Sequence, residues 1–396
     1  MALLSVAEAR ARLLAMFEPV GTETVRLAEA ADRVLAEDIR AQRDQPPFAA
    51  SAMDGYAVRA EDLRPGAQLR VTGTAPAGGS FEGPVGTGEA VRIFTGAPVP
   101  VGADVILIQE DAESDGDTIT VQDGHDLGHH IRAAGSDFAA GATLEAPRRL
   151  TPRDLALLAA MNAPKLPVRR RPVVALIATG DELVMPGDSP GPNQIICSNS
   201  FAVKVMLEAA GAKARLLPIA RDTPASLRTT FELAQPCDLI VTFGGASVGD
   251  FDIVRDTALG EGLDLDFYKI AMRPGKPLLA GRLGPTPLVG LPGNPVSAIV
   301  CAHVFLLPAI DKLLGLPARQ LEFQPARLTR DLGANGPRAH FMRAEVAGTP
   351  GAWTCTPFER QDSALLSVLT SANALMHRPP HDPPRTRGNS VDFLWL

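Results

Sequence analysis

The residues Val173-Val-Ala-Leu-Ile-Ala-Thr-Gly-Asp-Glu-Leu183 join an apolar run to a turn that carries two carboxylates. A short apolar run that ends at Gly and Asp is typical of a buried β-strand followed by a loop. The pattern recurs further along the chain. Strands are predicted over 214–220, 239–243, 267–271 and 288–291, and helices over 199–210, 223–233, 253–259 and 294–314. This alternation predicts a mainly parallel sheet covered by helices on both faces.

The regions on either side of this segment differ in character. Residues 1 to about 40 have helical spacing, for example at Leu13 and again at Val34 and Leu35. Gly and Pro then separate short alternating runs up to about residue 138, which predicts a β-rich insertion. A Thr-Pro pair at 151–152 predicts the start of a second helix, and the basic stretch 165–171 indicates a domain boundary. After residue 319 the pattern again predicts strands.

The composition is that of a folded protein with an acidic surface. The length of 396 residues predicts two to four domains. Because 45% of the residues are apolar and only 21% are charged, these domains are expected to have sizeable cores. Lys and Arg number 38 against 45 Asp and Glu, and a net charge of −7 argues against binding nucleic acid by phosphate neutralisation. The four cysteines, at positions 197, 237, 301 and 355, form no CxxC motif, so neither a zinc finger nor a disulfide framework is expected.

Neither a membrane segment nor a secretion signal is expected. The longest nearly apolar run, residues 298–310, is shorter than the roughly 20 residues that span a bilayer. Ser5 and Glu8 form a capping-box pattern at the start of a predicted helix that contains Arg10 and Arg12, where a signal peptide would carry an uncharged apolar stretch. These features predict a cytoplasmic protein.

Polar loops that contain Gly or Pro follow the predicted strands. They cover residues 179–183, 221–222, 244–250, 273–277 and 292–297. Because the carboxyl ends of parallel strands meet at one edge of a sheet, these loops are expected to lie together. Any one of them could be an ordinary turn, since Gly, Pro, Asp and Asn are the usual turn residues.

The residue types in these loops fall into two chemical sets. The first set suits a phosphate or oxyanion, because it combines backbone amides, cations and a helix start: Gly244, Gly245, Gly249, Arg273, Lys276 and Asn294. The second set consists of the carboxylates Asp181, Glu182, Asp222, Asp250 and Asp252. Carboxylates beside phosphates are the usual ligands of Mg²⁺. The sequence therefore predicts a joint anion and magnesium site at this edge.

One motif favours a different chemistry. Residues 245–249 match the G-x-S-x-G pattern of a serine hydrolase, with Ser247 as nucleophile and Asp311 and His340 in the required order. The chain has no HGGG-type oxyanion loop, and His340 falls in a different predicted domain, so this alternative is kept as the less favoured one. The chain also contains neither the P-loop motif nor the first Rossmann turn.

Six motifs occur in an order that is far more specific than any one of them. They are SAMDGYAV at 51–58, TGAPVP at 95–100, TGDEL at 179–183, GGASVGDFD at 244–252, RPGKP at 273–277 and LPGNPVSA at 291–298. With these motifs the chain resembles the MoeA family, the molybdopterin molybdenumtransferases that include the gephyrin E domain. The resemblance extends over nearly the whole length.

The resemblance implies a multidomain α/β plus β protein that forms an elongated homodimer. A split helical domain I would cover 1–40 and 138–168, with the β-rich insertion, domain II, over 41–137. Domain III, the molybdopterin-binding three-layer α/β domain, would cover 169–318, and a C-terminal β domain IV would cover 319–396.

The reaction implied by the resemblance is Mg²⁺-assisted insertion of molybdate into the dithiolene of adenylylated molybdopterin, with release of AMP. Catalytic roles are implied for Asp54, Thr95, Asp137, Glu182, Asp222, Asp252 and Lys276. Binding of molybdate or molybdopterin is implied for Arg132, Gly180, Ser198, Asn199, Gly244, Gly245, Ser247, Gly249, Arg273, Lys276, Pro277, Asn294, Ser297, Arg343 and Ser367. The implied metal ligands are Glu182, Asp222, Asp250 and Asp252.

The implied arrangement places Asp54, Thr95, Arg132 and Asp137 across the dimer from the α/β domain. A molybdopterin adenylyltransferase would supply the substrate, molybdoenzymes would receive the product, and neither nucleic acid nor a membrane would be a partner. The chain departs from the usual family pattern at Ala133, Ala134, Ser136, Cys197 and Arg273. A scaffold or binding protein of the same fold that has lost catalysis is the second alternative.

Overall fold

The computed structural model describes residues 3–244 and 253–396. The chain divides into two units, each of which is assembled from separate stretches. The first unit comprises residues 1–23, 32–36 and 168–396, and the second comprises residues 24–31 and 37–167.

A six-stranded sheet forms the centre of the first unit. In spatial order its strands are Lys213–Leu216, Val173–Ala178, Leu239–Phe243, Thr286–Leu291, Leu279–Leu283 and Leu263–Tyr268. The first four are parallel, with Val174 opposite Leu239 and Ile240 opposite Leu288. The last two are antiparallel to their neighbours. The predicted mainly parallel sheet is confirmed, although the strand Leu279–Leu283 was not predicted.

Both faces of this sheet are covered, because successive strand residues enter different cores. Val174 and Leu176 belong to one buried cluster, while Ala175 and Ile177 belong to another. The helices of this unit are Val6–Leu14, Asn199–Ala209, Pro224–Ala234, Ile253–Gly260 and Pro295–Leu313. The three-layer α/β prediction is therefore confirmed.

The helix Pro295–Leu313, called the core helix below, contains a π-helical segment over Ala302–Leu306. A guanidinium nitrogen of Arg10 donates a hydrogen bond to the carbonyl of Val304 within this segment. Among the described residues, this is the one helix whose length of 19 residues and apolar composition would suffice to cross a membrane. However, 83% of its most apolar window is buried inside the protein, as expected of a core helix.

The region before residue 40 is less helical than its spacing predicts. A helix covers only Val6–Leu14, where Ser5 and Glu8 form the expected capping box. The prediction of helix around Val34–Leu35 is wrong, because these two buried residues form a strand, and Thr22–Arg26 is also a strand. Leu35 pairs with Val168 of the strand Lys165–Arg169, so the basic stretch predicted as a boundary contains a strand of its own.

The second unit contains the predicted β-rich insertion. In spatial order its main sheet consists of Val105–Ile108, Gly55–Val58, Glu89–Ile93, Gln68–Ala75, Thr118–Val121 and Ala112–Asp115. Ala50–Ser51 pairs with Ile131–Arg132, and Ile39–Arg40 pairs with Thr143–Leu144. Short 3₁₀ turns lie at Leu27–Glu29, Ala60–Asp62 and Gln109–Asp111, and Arg148–Arg149 is a strand. The helix Pro152–Ala160 begins, as predicted, after a capping Thr151.

The C-terminal part of the first unit is a closed β-barrel. Its strands are Gln324–Leu328, Ala339–Ala347, Thr354–Pro357, Ala374–Arg378 and Ser390–Trp395. The barrel closes because Ala339–Ala347 pairs on one side with Thr354–Pro357 and on the other with Ala374–Arg378. The strand Met272–Arg273 adds in parallel to Ala339–Ala347, and a short helix covers Leu366–Thr370.

Candidate functional site

A cavity of about 1000 Å³ lies at the carboxyl edge of the central sheet. Its lining includes residues from the loops that follow each of the four parallel strands. The predicted site residues that line it are Gly180, Glu182, Ser198, Asn199, Asp222, Gly244, Lys276, Pro277 and Asn294. The structure therefore brings together, on one cavity, most of the described residues predicted for this edge.

The loop over 273–277 reaches the same edge although the strands beside it are antiparallel. Leu263–Tyr268 runs opposite to Leu279–Leu283, which in turn runs opposite to Thr286–Leu291. The end of the first of these strands and the start of the second therefore lie at the edge where Thr286–Leu291 ends. This topology places Lys276 on the cavity.

Gly180 allows a carboxylate to fold back against the backbone. Its φ angle is +143°, and a Cβ atom at this position would lie 2.2 Å from Oε2 of Glu182. Only glycine adopts this backbone region without strain, and only a residue without a side chain leaves room for that carboxylate. Gly180 therefore sets the position of Glu182 on the cavity.

The carboxylate of Asp181 holds the neighbouring loop through the backbone of Asp222. Asp222 donates its backbone N–H to Oδ1 of Asp181 at 3.3 Å, and Arg221 donates to the carbonyl of Asp181 at 3.2 Å. Asp181 thus organises the loop, while Asp222 lines the cavity. Within residues 3–244 and 253–396, the side chains of Glu182 and Asp222 form no ion pair.

Two glycines let three backbone segments approach closely at the floor of the cavity. Gly244 has a φ angle of +94°, and a Cβ atom there would lie 2.9 Å from the carbonyl oxygen of Thr179. A Cβ atom at Gly293 would lie 3.4 Å from the Cα atom of Gly244. Asn199 donates from its side-chain amide to the carbonyl of Gly293 at 2.6 Å. The start of the helix Asn199–Ala209 is therefore fixed to the loop that precedes the core helix.

An apolar wall, which sequence reasoning missed, completes the cavity. Leu183–Val184 pairs in parallel with Ile195–Ile196, and the side chains of Ile195 and Ile196 are 59% and 41% exposed. In the sequence, two adjacent isoleucines within an otherwise polar loop are the signal that could have indicated this wall. Cys197 follows them with only 4% exposure.

The two predicted cations differ in their surroundings. Lys276 is half-buried on the cavity, and in the part of the chain that the structure describes its ammonium forms no ion pair. Arg273 is exposed on the short strand beside the barrel, where its backbone lies opposite that of His340 in the strand pairing. An unpaired, half-buried ammonium attracts anions because the reduced solvent screening strengthens its field.

The core helix begins where its sequence predicts, and the side chain of its first residue has a partner outside the helix. Asn294 occupies the N-cap position, but its side chain forms no capping hydrogen bond. Instead it donates to Oγ of Ser363 at 2.9 Å, and the N–H of Val296 donates to the carbonyl of Ser363 at 3.0 Å. The prediction that Asn294 begins this helix is confirmed, and its side chain in addition contacts the C-terminal barrel. The backbone N–H of Val296, one of the amides expected to attract an anion, therefore already donates a hydrogen bond within the protein.

The barrel residues predicted to bind molybdate, Arg343 and Ser367, do not line the cavity. Arg343 is 2% exposed, and its guanidinium donates to the carbonyls of Arg360 and Asp362 and to the side-chain oxygen of Gln361. Burial lowers the pKa of Arg343. Ser367 is exposed on the short helix Leu366–Thr370, and Ser297 is buried within the first turn of the core helix. Ala364, which closely follows the residues 360–362 that Arg343 contacts, lines the cavity.

Part of the predicted metal and phosphate set lies outside the described residues. These residues are Gly245, Ser247, Gly249, Asp250 and Asp252. Across 3–244 and 253–396, no group of three or more His, Cys, Asp or Glu side chains is gathered as a metal site. Of the predicted carboxylate ligands, Glu182 and Asp222 are the ones that line the cavity.

In the second unit, Asp54 and Thr95 meet as a pair. Asp54 accepts hydrogen bonds from the backbone N–H and the hydroxyl of Thr95, both at 2.7 Å. These hydrogen bonds from Thr95 lower the pKa of Asp54, and the nearby Arg92 acts in the same direction. Arg132 lies on the strand that pairs with Ala50–Ser51, while Asp137 is exposed in the following loop. In the structure as described, Arg132 and Asp137 form no ion pair with each other.

Three family models match successive parts of the chain. The MoeA N-terminal region (domain I and II) matches residues 4–162, a probable molybdopterin binding domain matches 175–312, and the MoeA C-terminal region (domain IV) matches 325–396. A molybdopterin molybdenumtransferase 2 from Mycobacterium tuberculosis is 38% identical over 368 residues, which cover 90% of each chain. The chain belongs to the molybdopterin molybdenumtransferase family.

Further relatives of this family agree in sequence and in fold. A molybdopterin molybdenumtransferase from Haemophilus influenzae is 39% identical over 317 residues, which cover 79% of this chain and 78% of the relative. Two crystal structures of the molybdopterin biosynthesis protein MoeA from Pyrococcus horikoshii have TM-scores of 0.87 and 0.84 at 29% and 28% identity. They cover 100% of this chain and 99% and 100% of their own chains. The resemblance inferred from the six motifs is confirmed.

Within the described residues, the two partners proposed for Ser247, Asp311 and His340, form no hydrogen bond with each other. Asp311 lies on the core helix and accepts hydrogen bonds from Nε and a terminal nitrogen of Arg319 at 2.6 and 2.7 Å. His340 is buried on the barrel, and burial, with the charges of nearby arginines, lowers the pKa of His340 to about 3. Asp311 is thus engaged by Arg319. Membership of the molybdopterin molybdenumtransferase family favours the main hypothesis over this alternative.

Proposed function

We propose that this chain inserts molybdate into the dithiolene of adenylylated molybdopterin and releases AMP, as an enzyme of molybdenum cofactor biosynthesis. The observation that carries the proposal is a single cavity on which Glu182 and Asp222 lie together with Lys276. The names of the relatives support the same reaction class.

The charges on the cavity suit cleavage of a phosphoanhydride. The leaving AMP and the molybdate dianion are both negative, so the site must neutralise charge as the bond breaks. Lys276 supplies a cation that no carboxylate of residues 3–244 and 253–396 pairs with, and Arg273 supplies a second one in the same loop. We assign Lys276 and Arg273 to the phosphates and the oxyanion, with Arg343, Ser297 and Ser367 as further candidates for molybdate.

The carboxylates fit a magnesium ion. Glu182 and Asp222 offer hard oxygen ligands that no lysine or arginine of the described residues occupies, and Mg²⁺ prefers such ligands. Asp250 and Asp252, which lie outside the described residues, would complete the set. A bound Mg²⁺ would neutralise charge on the phosphates of the substrate.

The remaining predicted residues would bind and orient the organic part of the substrate. Ile195 and Ile196 form an apolar surface for a planar ring, and Gly180, Gly244 and Gly293 permit a close approach of backbone atoms. Ser198, Asn199, Pro277 and Asn294 line the same cavity. Gly245, Ser247 and Gly249 are assigned to the phosphates.

The second unit would contribute Asp54, Thr95, Arg132 and Asp137 to the site of a partner subunit in a homodimer. A molybdopterin adenylyltransferase would supply the substrate in the cytoplasm, and molybdoenzymes would receive the product. A non-catalytic protein of this fold would bind molybdopterin without releasing AMP.

The proposal is tested by mixing the purified protein with adenylylated molybdopterin, Mg²⁺ and molybdate, and by measuring AMP. Molybdate-dependent release of AMP is expected. Binding without AMP release would demote the chain to a binding protein. Cleavage of an activated ester that disappears in Ser247→Ala would instead establish the hydrolase.

The shared site is tested by complementation between inactive variants. Asp54→Ala and Lys276→Ala homodimers are each expected to be inactive, because each lacks one half of every site. Mixed under conditions that exchange subunits, they should regain part of the activity, since some sites then combine two intact halves. Inactivity of the mixed dimers would place both residues in the site of a single subunit.

A further inference from the structure

Arg92 has an unusual set of contacts on the main sheet of the second unit. It lies on the strand Glu89–Ile93 opposite Tyr56, and its guanidinium carbon lies 5.1 Å from the centre of the Tyr56 ring and 4.8 Å from the centre of the Phe94 ring. In the portion of the chain described, it forms no ion pair, whereas Arg70 on the neighbouring strand pairs with Glu89. Two aromatic faces therefore replace a carboxylate as the partners of this charge.

The hydrogen bonds of Arg92 lead to the segment that carries Asp54, while its own strand and its contact with Phe94 lead to Thr95. One terminal nitrogen donates to the carbonyl of Gly55 at 2.8 Å, and the other donates to the side-chain oxygen of Gln109 at 2.8 Å. The backbone N–H of Gln109 donates in turn to the carbonyl of Asp54 at 3.0 Å. The residues next to Asp54 and Thr95 are thus tied to one planar guanidinium.

The segment after Asp54 leaves little freedom for another arrangement. A Cβ atom at Gly55 would lie 2.0 Å from the carbonyl oxygen of Leu107. Only glycine at this position therefore permits the two strands to lie so close together. The backbone is therefore fixed on one side by Gly55 and on the other by Arg92. Asp54 and Thr95 lie at the ends of the two strands held in this way.

We propose that Arg92 is a positioning residue that holds the Asp54–Thr95 pair in its reactive orientation, an inference that rests on the proposed function. The planar fork of arginine bonds two acceptors in fixed directions while its faces contact both rings, which lysine cannot reproduce. A displacement of about 1 Å at a reacting group can cost about 100-fold in rate.

The first test compares kcat and KM for molybdate-dependent AMP release. Arg92→Gln and Arg92→Lys are both expected to lower kcat about 10-fold to 100-fold. The KM for molybdate should stay within about twofold, because the residues assigned to molybdate lie in the other unit. Arg70→Gln, the matched control on the adjacent strand, should change neither parameter. Full rescue of kcat by lysine, or unchanged kcat in Arg92→Gln, would overturn the proposal.

The second test does not depend on activity, so it separates this inference from the proposed function. Hydrogen exchange of the Thr95 amide, which donates to Asp54, should accelerate in Arg92→Gln and in the milder variant Gln109→Ala, and stay unchanged in Arg70→Gln. If the wild-type protein releases no AMP but exchange accelerates, the proposed function fails and the positioning contact stands. Unchanged exchange at Thr95 in both variants would remove the role of Arg92.

Discussion

The side-chain amide of Asn294 donates a 2.9 Å hydrogen bond to the hydroxyl of Ser363 and thereby joins the start of the core helix to the C-terminal barrel. The carbonyl of Ser363 also accepts the N–H of Val296. On its other side, the same segment is held by the buried guanidinium of Arg343. Ala364, at the end of this segment, lines the cavity. The barrel therefore sets one wall of a site whose charged groups come from the α/β sheet.

Ser363→Ala is expected to lower the free energy of unfolding by about 1 kcal/mol, because it removes one hydrogen bond between partly exposed groups. It should also raise the KM for adenylylated molybdopterin, since the cavity wall at Ala364 loses a fixed neighbour. Urea unfolding and steady-state kinetics measure the two effects. Ser371→Ala is the control, because within the described part of the chain its hydroxyl bonds only to the carbonyl of Ser367, on its own short helix. An equal change of KM in both variants would contradict the assigned role.

Lys276→Ala and Asp222→Ala should each reduce turnover about 100-fold to 1000-fold, the cost of removing one group that stabilises developing charge. The melting temperature should stay within about 4 °C, because neither side chain is buried in a core. Lys213→Ala and Asp264→Ala are the controls, since these exposed residues lie on strands of the same sheet and do not line the cavity. Unfolding of both test variants would show that the two positions are structural.

Gly180→Ala is expected to destabilise the protein by about 1–3 kcal/mol, because alanine would adopt a backbone conformation that only glycine tolerates. The new methyl group would also displace the carboxylate of Glu182 from its place beside residue 180. Magnesium titration of the activity should show weaker activation. Gly260→Ala, where a methyl group meets no atom within 4 Å, is the comparison. Normal magnesium activation in Gly180→Ala would contradict the placement of Glu182 near the metal.

His340→Gln should make stability less dependent on pH. In the folded protein, burial lowers the pKa of His340 to about 3, and Arg273, Arg378, Arg338 and Arg343 act in the same direction. Between about pH 6.5 and 3 the unfolded chain binds a proton that the folded chain does not, so the free energy of unfolding falls as the pH falls, by about 1.4 kcal/mol per pH unit.

Removing this group should therefore flatten the curve of unfolding free energy between about pH 6 and 4.5. Urea unfolding at several pH values measures it, and above about pH 7.5 the two proteins should have parallel curves because the histidine is neutral in both states. Parallel curves over the acidic range as well would show that His340 takes up its proton while folded.

The convergence of the loops could be predicted from sequence because it follows from one rule of parallel sheets. Apolar strands such as Val173–Ala178 and Leu239–Phe243 are recognisable locally, and their carboxyl ends must share an edge. The strand Leu279–Leu283 was missed because Gly281 and Arg282 interrupt its apolar pattern. The short strand Val34–Leu35 was missed because two apolar residues fit a helical period equally well.

Contacts between distant residues account for the parts of the site that the sequence could not supply. The local pattern correctly places Asn294 at the start of the core helix, but its hydrogen bond to the hydroxyl of Ser363 joins residues 69 positions apart. Nothing in the residues around Arg343, not even the carboxylate of Glu345, indicates that Gln361 and two carbonyls accept its hydrogen bonds. Which of the three serines in the stretch 361–373 approaches the core helix also depends on how the barrel folds.

The helix Val6–Leu14 buries Ala9 and Leu13 in the same core as Val174, Phe243 and Val304. During synthesis the ribosome must add the whole stretch 37–167 before the first strand of the α/β sheet emerges, which takes on the order of ten seconds at usual elongation rates. For that time the apolar side of the nascent helix is without the residues that will cover it. Folding of the larger unit therefore waits for the residues after 167, and a fragment that begins at residue 168 would leave part of this core open to water.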